Sequence, residues 1–404
     1  MKAYSTYQFA FFRILLGIYL FIHFIMLIPY AEELWSKDGI LPDKSYNFTN
    51  GIFPNILSLS DSSVAVTIFI CLLSFLSILL ILGFQRQIVS VLLWYGWVCL
   101  FDRNNLISNP GIPFVGWILL CLSIIPKGEA LCVFSEKKEY WEFPKIIFYG
   151  AWIIMSLSYS ISGIDKLNSP SWRDGSAIIH LLNNPLARDW PIRDFLLSVP
   201  VSILNFLSWT ILIIEISFAP LAIWKKSRKW IWISTVMMHF GILLIVDFAD
   251  LTFGMLMIHL FTFDASWIKP KFSLQKRQIL FFDGVCGLCN STVDLLMRED
   301  INESLKFAPL QGETAKNLLS SKEISELKSV VFYKDGKTFV QSDAIIETGR
   351  TMGGFFGLAI MLKLIPKFLR NFFYDIIAKN RYKWFGVKET CRMPNEKERE
   401  KLLY

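Results

Sequence analysis

Charge is scarce in this sequence. Only 19% of its 404 residues are Asp, Glu, Lys or Arg, against 53% hydrophobic residues, and the mean hydropathy is +0.44. Soluble domains carry nearer to about a quarter charged residues, so water is excluded as the solvent for much of the chain. Histidine is scarcer still: there are four, none beyond His259. The seven cysteines do not form a secreted disulfide framework. Cys71, Cys99 and Cys121 sit inside apolar stretches, where a thiol packs as a small hydrophobe, and Cys132 and Cys391 are isolated. No basic stripe exists either. The net charge of +7 comes from Lys and Arg residues flanking apolar segments, which argues against a nucleic-acid partner. No small-residue cleavage site follows the first apolar stretch, which reads as a membrane span and not as a cleavable leader.

What is abundant is apolar and aromatic: 35 Phe and 14 Trp. A span takes about 20 mostly apolar residues. The stretches Phe9–Ile28, Val64–Leu82, Ile88–Phe101, Ile112–Ile125, Ile146–Ile161, Val201–Ile223, Trp230–Val246 and Leu251–Trp267 qualify or nearly do so. The expectation is a multi-pass α-helical membrane bundle of about eight spans over residues 1–268, with the lipid bilayer as partner. Bases alternate between its loops. Lys225, Lys226, Arg228 and Lys229 follow the sixth stretch, Lys127, Lys137, Lys138 and Lys145 surround the gap after the fourth, and Arg86 follows the second. The loop after the seventh carries only Asp247 and Asp250. By the positive-inside rule both termini are expected in the cytoplasm of a cell, most simply a bacterial one.

The segment between the fifth and sixth stretches, Tyr159 to Gly175, concentrates polar groups beside a span. Such groups are costly there unless paired or lining a wet cavity. One reading is a solvated loop with local Asp–Arg and Asp–Lys pairs. The other is a polar pocket containing Lys166, to which Glu215, His23, His239 and His259 contribute from within the spans. Each of those four is alternatively a bridge between two helices.

Tyr159, Gly163, Lys166-Leu167, Trp172 and Gly175, with Arg13 and Gly17 near the start and Met238-His239-Phe240-Gly241, resemble the membrane region shared by vitamin K-dependent gamma-carboxylases and HTTM proteins. The similarity covers roughly residues 5–265. In the carboxylases the lysine matching Lys166 is the base associated with reduced vitamin K, a role that desolvation near a membrane favours. The segment Asp102 to Pro113 contains no histidine, although the carboxylases carry a functional one there. No counterpart of their large lumenal domain is evident. The resemblance implies a fold and a quinone-sized lipophilic pocket, with quinone as the one cofactor to consider, and not carboxylation.

Composition changes at Lys269-Pro270-Lys271, read as a linker over residues 269–277 before a domain over 278–404. Gln278 to Asp283 is a short buried-strand pattern rich in aromatics. Gly284 breaks it, and Cys286-Gly287-Leu288-Cys289 follows at the start of a helical pattern running to Arg298. Cys286 is thereby expected at a helix N-terminus, where unpaired N–H groups favour a thiolate nucleophile. Cys289, one turn on, is placed to resolve a mixed disulfide. Asp283 is either a proton acceptor or a charge that raises the thiol pKa. The competing readings are half of a zinc site or a fortuitous pair. Zinc needs two more ligands, and the only other thiol here is Cys391. No metal is expected.

Ser304–Pro309 reads as a second strand, Thr314–Leu319 and Ser325–Leu327 as polar helix or loop, and Ser329–Tyr333 with Lys337–Val340 as a hairpin closed by Lys334-Asp335-Gly336. Ser342-Asp343-Ala344 opens another helix. This is the thioredoxin order, so a C-terminal α/β thioredoxin-like domain is expected. Residues 355–372 read as a core helix or as one lying on the membrane surface. Phe282-Asp283-Gly284, Cys286, Leu288-Cys289, Phe307 to Gln311, Ser342-Asp343-Ala344, Ala378, Asn380-Arg381-Tyr382, Phe385-Gly386 and Cys391 resemble the DCC family of predicted thiol-disulfide oxidoreductases over about residues 278–402. The resemblance implies Cys286 and Cys289 as the reactive pair and thiols or disulfides of proteins or small molecules as partners. No proline precedes the Ser329 strand, where thioredoxins place one opposite their disulfide.

The leading expectation is therefore a membrane-anchored cytoplasmic thiol-disulfide oxidoreductase, with a bolder version linked to a quinone in the bundle. The alternatives are a membrane carrier for a small lipophilic molecule with a redox-sensing domain, or a gamma-carboxylase-like lyase. In the expected topology the Lys166 pocket and Cys286 face opposite sides.

Overall fold

A computed structural model describes residues 4–133, 141–270, 278–300, 302–319, 330–387 and 400–403. Lys137, Lys138, Lys271, Ser325–Leu327, Ser329 and Cys391, all used above, lie outside the described residues. The chain divides into two compact units, Met1–Phe263 and Asp264–Tyr404.

The described part of the first unit is helical: α1 Thr6–Leu27, α2 Ala31–Trp35, α3 Ser63–Leu82, α4 Arg86–Arg103, α5 Gly111–Ile124, α6 Lys145–Lys166, the short α7 Pro170–Arg173, α8 Ala177–Leu182 and α9 Pro191–Ser198, then α10 Val201–Ile223, α11 Lys225–Ile245 and α12 Ala249–Thr262. Local chemistry sets several ends. The Ser5 and Ser62 hydroxyls accept N–H groups of the first turns of α1 and α3, and Gly83, at φ +72°, ends α3 in a left-handed cap. Within α1, Phe9, Leu16, Leu20 and Phe24 are fully buried, while Phe11, Leu15, Ile22 and Ile25 are exposed. A helix apolar all round that is half exposed has lipid as its natural surroundings.

Four helical stretches, Thr6–Trp35, Ser63–Leu82, Lys145–Lys166 and Val201–Ile223, are long and apolar enough to cross a membrane. This corrects the expectation of eight. Helices α5 and α12 have 14 residues each, about 21 Å at 1.5 Å per residue, against a hydrocarbon core about 30 Å thick. Helix α11 opens on Lys225, Lys226, Arg228 and Lys229. Helix α4 carries Arg86, Asp102 and Arg103, all buried. Arg86 is not a loop base: its Nε lies 2.7 Å from Glu129 Oε1. Arg103 donates to the Leu41 and Ser36 carbonyls at 2.8 and 2.7 Å. Arg13, fully buried on α1, donates to the Leu80 and Ile81 carbonyls at the end of α3.

Helix α6 packs on α10 through Gly163, where an added Cβ would stand 2.7 Å from Ile216 N and 2.9 Å from Glu215 Cβ. A small residue at such a crossing lets two backbones approach closely.

The second unit begins with a 3-10 turn, Ala265–Trp267, that the sequence reading assigned to the last span. Gly354 N donates to Ile268 O at 2.8 Å, so this stretch belongs to the second unit's packing. Its regular elements are β1 Gln278–Phe282, α13 Gly287–Glu299, β2 Lys306–Pro309, α14 Glu313–Leu318, β3 Val331–Lys334, β4 Lys337–Val340, α15 Gln341–Met352, a 3-10 run Gly354–Leu364 and α16 Lys367–Phe385. The mixed sheet has the order β2-β1-β3-β4, with β1 parallel to β2 and antiparallel to β3, and β4 antiparallel to β3. Asp335 and Gly336, at φ +53° and +79°, close the β3–β4 hairpin, the two left-handed residues that match its twist. Side-chain alternation gives the central strand two cores. Leu280 and Phe282 pack with Cys286, Cys289, Val293, Phe307 and Phe332 on the side of α13 and α15. Ile279 and Phe281 pack with Ala308, Ala315 and Val331 on the side of α14.

Residues 355–372 do not form a core helix. Only Gly357 of the 3-10 run is buried, and only Ala378 and Arg381 of α16.

Gly163→Ala is expected to force α6 and α10 apart and to lower stability by about 1–3 kcal/mol, the usual cost of overpacking. Thermal unfolding of the detergent-solubilised chain measures this, and an unchanged midpoint would contradict the close crossing.

Candidate functional site

Strand β1 is buried along its whole length and delivers Asp283 to the top of the sheet. The chain then turns tightly: Val285 N donates to Asp283 Oδ1 at 3.2 Å, and Cys286 N to Asp283 O at 3.3 Å. Cys286 is the N-cap of α13, with extended backbone angles (φ −80°, ψ 124°), and its Sγ accepts the Cys289 N–H at 3.3 Å. A sulfur thus stands where Ser, Thr, Asp or Asn usually caps a helix, at the positive end of the helix dipole. Both thiols are free and buried, Cys286 fully and Cys289 to 5% exposure.

The Cys289 thiol is pushed up to about 12. Burial is the main cause, followed by the hydrogen bond and charge of the Cys286 sulfur and, more weakly, the charge of Asp283. Burial therefore keeps Cys289 a protonated thiol at neutral pH.

Asp283 is the hub of a second network. Its Oδ1 accepts from Gln311 Nε2 at 3.1 Å, and its Oδ2 from Arg381 Nη2 at 3.1 Å and from the Tyr382 hydroxyl. Burial pushes this carboxyl up, but the hydrogen bonds from Tyr382, Arg381, Val285 and Gln311 outweigh it and hold the group below its ordinary value. With both oxygens engaged, Asp283 is an ionised anchor for α16 and the β2–α14 turn.

Helix α16 ends over the thiols. Gly287 N donates to Gly386 O at 3.2 Å, and Cys286 forms an antiparallel bridge with Val387. A Cβ on Gly287 would stand 2.2 Å from Phe385 O, so the helix start and this segment are in backbone contact. In the sequence, Gln311, Arg381, Tyr382 and Gly386 are matched motif positions without an evident role. Their one sequence signal was that recurrence of spaced motifs, since they lie far from Cys286 along the chain.

The residues proposed for a membrane pocket separate into three groups. Lys166 Nζ lies 2.6 Å from Glu215 Oε2 and donates to Ser162 Oγ at 2.7 Å, beside an open pocket of about 620 Å³ that includes Asp165, Ser169 and Trp172. His239 Nε2 is 2.5 Å from the Tyr159 hydroxyl, and its ring centroid is 5.5 Å from that of His259. His23 stands apart, with Nδ1 2.6 Å from Asp250 Oδ1. Tyr19 and Asn109 also donate to that carboxylate, at 3.0 and 3.1 Å. In the sequence Asp250 stands out only as a loop acid. Among the described residues no cluster of three or more His, Cys, Asp or Glu suits a metal ion.

Residues 280–387 match the family model described as DCC1-like thiol-disulfide oxidoreductase. Two relatives cover the same region. The uncharacterized protein YuxK of Bacillus subtilis is 37% identical over 129 residues, 31% of this chain and 94% of that protein. A chloroplastic DCC family protein of Arabidopsis thaliana is 35% identical over 133 residues, 31% of this chain and 77% of that protein. No solved structure matches the chain.

The Asp283 anchor has a defined pH dependence. Its folded-state pKa is depressed, so its stabilisation is present above the ordinary value of 3.8 and is lost as pH falls through the lowered one. Asp283→Asn is expected to cost about 3 kcal/mol, as for breaking a buried ion pair, and to flatten the acid limb. Hydrogen exchange of α16 against pH reads both, and an unchanged acid limb in the variant would contradict the anchor.

Proposed function

Since the chain belongs, through its C-terminal unit, to the DCC1-like thiol-disulfide oxidoreductase family, we propose that it is a membrane-anchored enzyme that reduces or exchanges disulfides with Cys286 and Cys289. The observation that carries this reading is the Cys286 sulfur at the N-cap of α13, accepting the Cys289 N–H. Supporting it are the four apolar helices of the first unit and the chain order of the second unit's elements, in which strand, helix, strand, hairpin and helix follow one another as expected of a thioredoxin-like domain.

In the proposed reaction the Cys286 thiolate attacks one sulfur of a substrate disulfide. The substrate S–S bond breaks, a Cys286–substrate S–S bond forms, and the departing sulfur takes up a proton. Cys289 then gives up its proton and attacks the Cys286 sulfur, which releases the second substrate thiol. Two electrons pass from the Cys286/Cys289 dithiol to the substrate, and an external dithiol reductant restores the pair. Cys286 has no exposed surface, so the Phe385–Val387 segment has to move aside, and the backbone groups it occupies become available to a substrate chain. Asp283 is proposed as a positioning residue that holds this lid through Arg381 and Tyr382.

A second reading concerns the first unit. The open pocket beside the Lys166–Glu215 pair supports a binding site for a small molecule with an apolar body and a polar end, a quinone among them. This is the carrier reading, and it stands or falls independently of the thiols. The bases at the start of α11 support placing that end of the bundle, opposite the Lys166 pocket, and both termini on the cytoplasmic side.

Insulin reduction by the full chain in nanodiscs, with dithiothreitol as recycling reductant, tests the enzyme reading. Cys286→Ser is expected to bring the rate to background. Cys289→Ser is expected to accumulate a mixed disulfide at Cys286, seen by non-reducing mass spectrometry. Turnover that survives Cys286→Ser would refute the assignment.

A further inference from the structure

Helix α16 is inside out for a helix on a water-soluble domain. Its polar side chains face its own unit. Arg370 Nη1 reaches Asp343 Oδ1 at 2.5 Å, Asn371 Nδ2 donates to Gln341 Oε1 at 2.9 Å, Asp375 accepts from Gln341 Nε2 at 2.8 Å, and Arg381 pairs with Asp283. The apolar side chains point away: Phe368 is 77% exposed, Phe372 58% and Phe373 57%, with Ile376 and Ile377 beside them. Leu364, just before the helix, is 82% exposed. A surface helix normally turns its apolar stripe to the core, and a continuous exposed apolar face marks an interaction site.

The surroundings of this face identify its occupant. At 100° per residue, Lys379 and Lys383 fall on the same outward side as Phe368 and Phe372, and neither has an acidic partner among the described residues. Trp384 and Phe385, both exposed, end the helix. Apolar and aromatic side chains with interspersed lysines suit the boundary between acyl chains and anionic headgroups, where the lysine stems run along apolar surface to the phosphates. The second unit is also tethered to the bundle by the chain itself. Residues 263–277 join the last bundle helix to β1 and span at most about 50 Å when fully extended.

We infer that the outward face of α16, together with the end of the preceding 3-10 run, docks on the surface of an anionic phospholipid bilayer. The inference rests on the reading that the first unit crosses that bilayer, and not on the redox reading.

The test uses the full chain in nanodiscs containing phosphatidylglycerol, with p-benzoylphenylalanine replacing one residue at a time. Mass spectrometry after illumination reads the adducts. Position 206 on α10 reports the spanning reading, positions 368 and 372 report the docking face, and position 316 on α14, across the sheet, is the control. Lipid adducts are expected at 206, 368 and 372, with 368 and 372 several-fold above 316. Lys379→Gln and Lys383→Gln are each expected to lower the yield at 368 by about fivefold, in line with the attraction of one base to an anionic surface. Labelling at 206 with 368 no higher than 316 would overturn the docking face alone. So would crosslinks from 368 to the chain's own bundle or to a second copy. A lack of lipid adducts at 206 would remove the membrane reading on which the inference depends.

Discussion

The second unit is organised around one backbone event, the conversion of a buried central strand into a helix in whose first turn the Cys289 N–H is taken by sulfur. Strand β1 has neighbours on both edges and side chains buried on both faces, so its end is fixed in space. Cys286 inherits that fixity, and Cys289, one turn on, lies within the same core. The consequence is chemical as well as structural. One sulfur receives an N–H at the positive end of a helix, while burial holds the other as a thiol. In the proposed reaction these are the attacking and resolving members of the pair.

Asp283 ties this centre to the rest of the unit. Its carboxylate collects Gln311 from the β2–α14 turn and Arg381 and Tyr382 from α16. The same helix whose last residues cover Cys286 is therefore held by the anion that precedes it. The outward face of that helix is apolar. Cover of the thiols and the proposed contact with lipid thus converge on one element, which would give the membrane a physical route to influence how readily Cys286 is uncovered.

What the sequence made legible was local. The turn from β1 into α13 could be read because a buried strand, a breaker and two cysteines follow one another within a dozen residues. The β3–β4 hairpin could be read because Asp335-Gly336 suits left-handed turn angles. Partners distant in the chain were not legible as partners: Arg381 and Tyr382 meet Asp283 only after the whole unit has folded. The span count failed for a related reason. Hydropathy of a stretch does not reveal that Arg86 finds Glu129 or that Arg103 finds two carbonyls. Such charges belong to helices packed inside the unit, and the shortness of α5 and α12 was blurred by apolar loops. The orientation of α16 was hidden too, because a pattern of polar and apolar residues does not say which side faces the domain.

The central claim is that Cys286 and Cys289 act as one two-electron couple. Equilibrating the full chain across a series of thiol–disulfide buffers, trapping free thiols and quantifying each cysteine by mass spectrometry tests it most directly. The account predicts that both thiols disappear together at a single potential, with about 30 mV per tenfold change in the reduced-to-oxidised ratio. Independent titration of the two cysteines, or persistence of both as thiols under oxidising conditions that leave the fold intact, would contradict it.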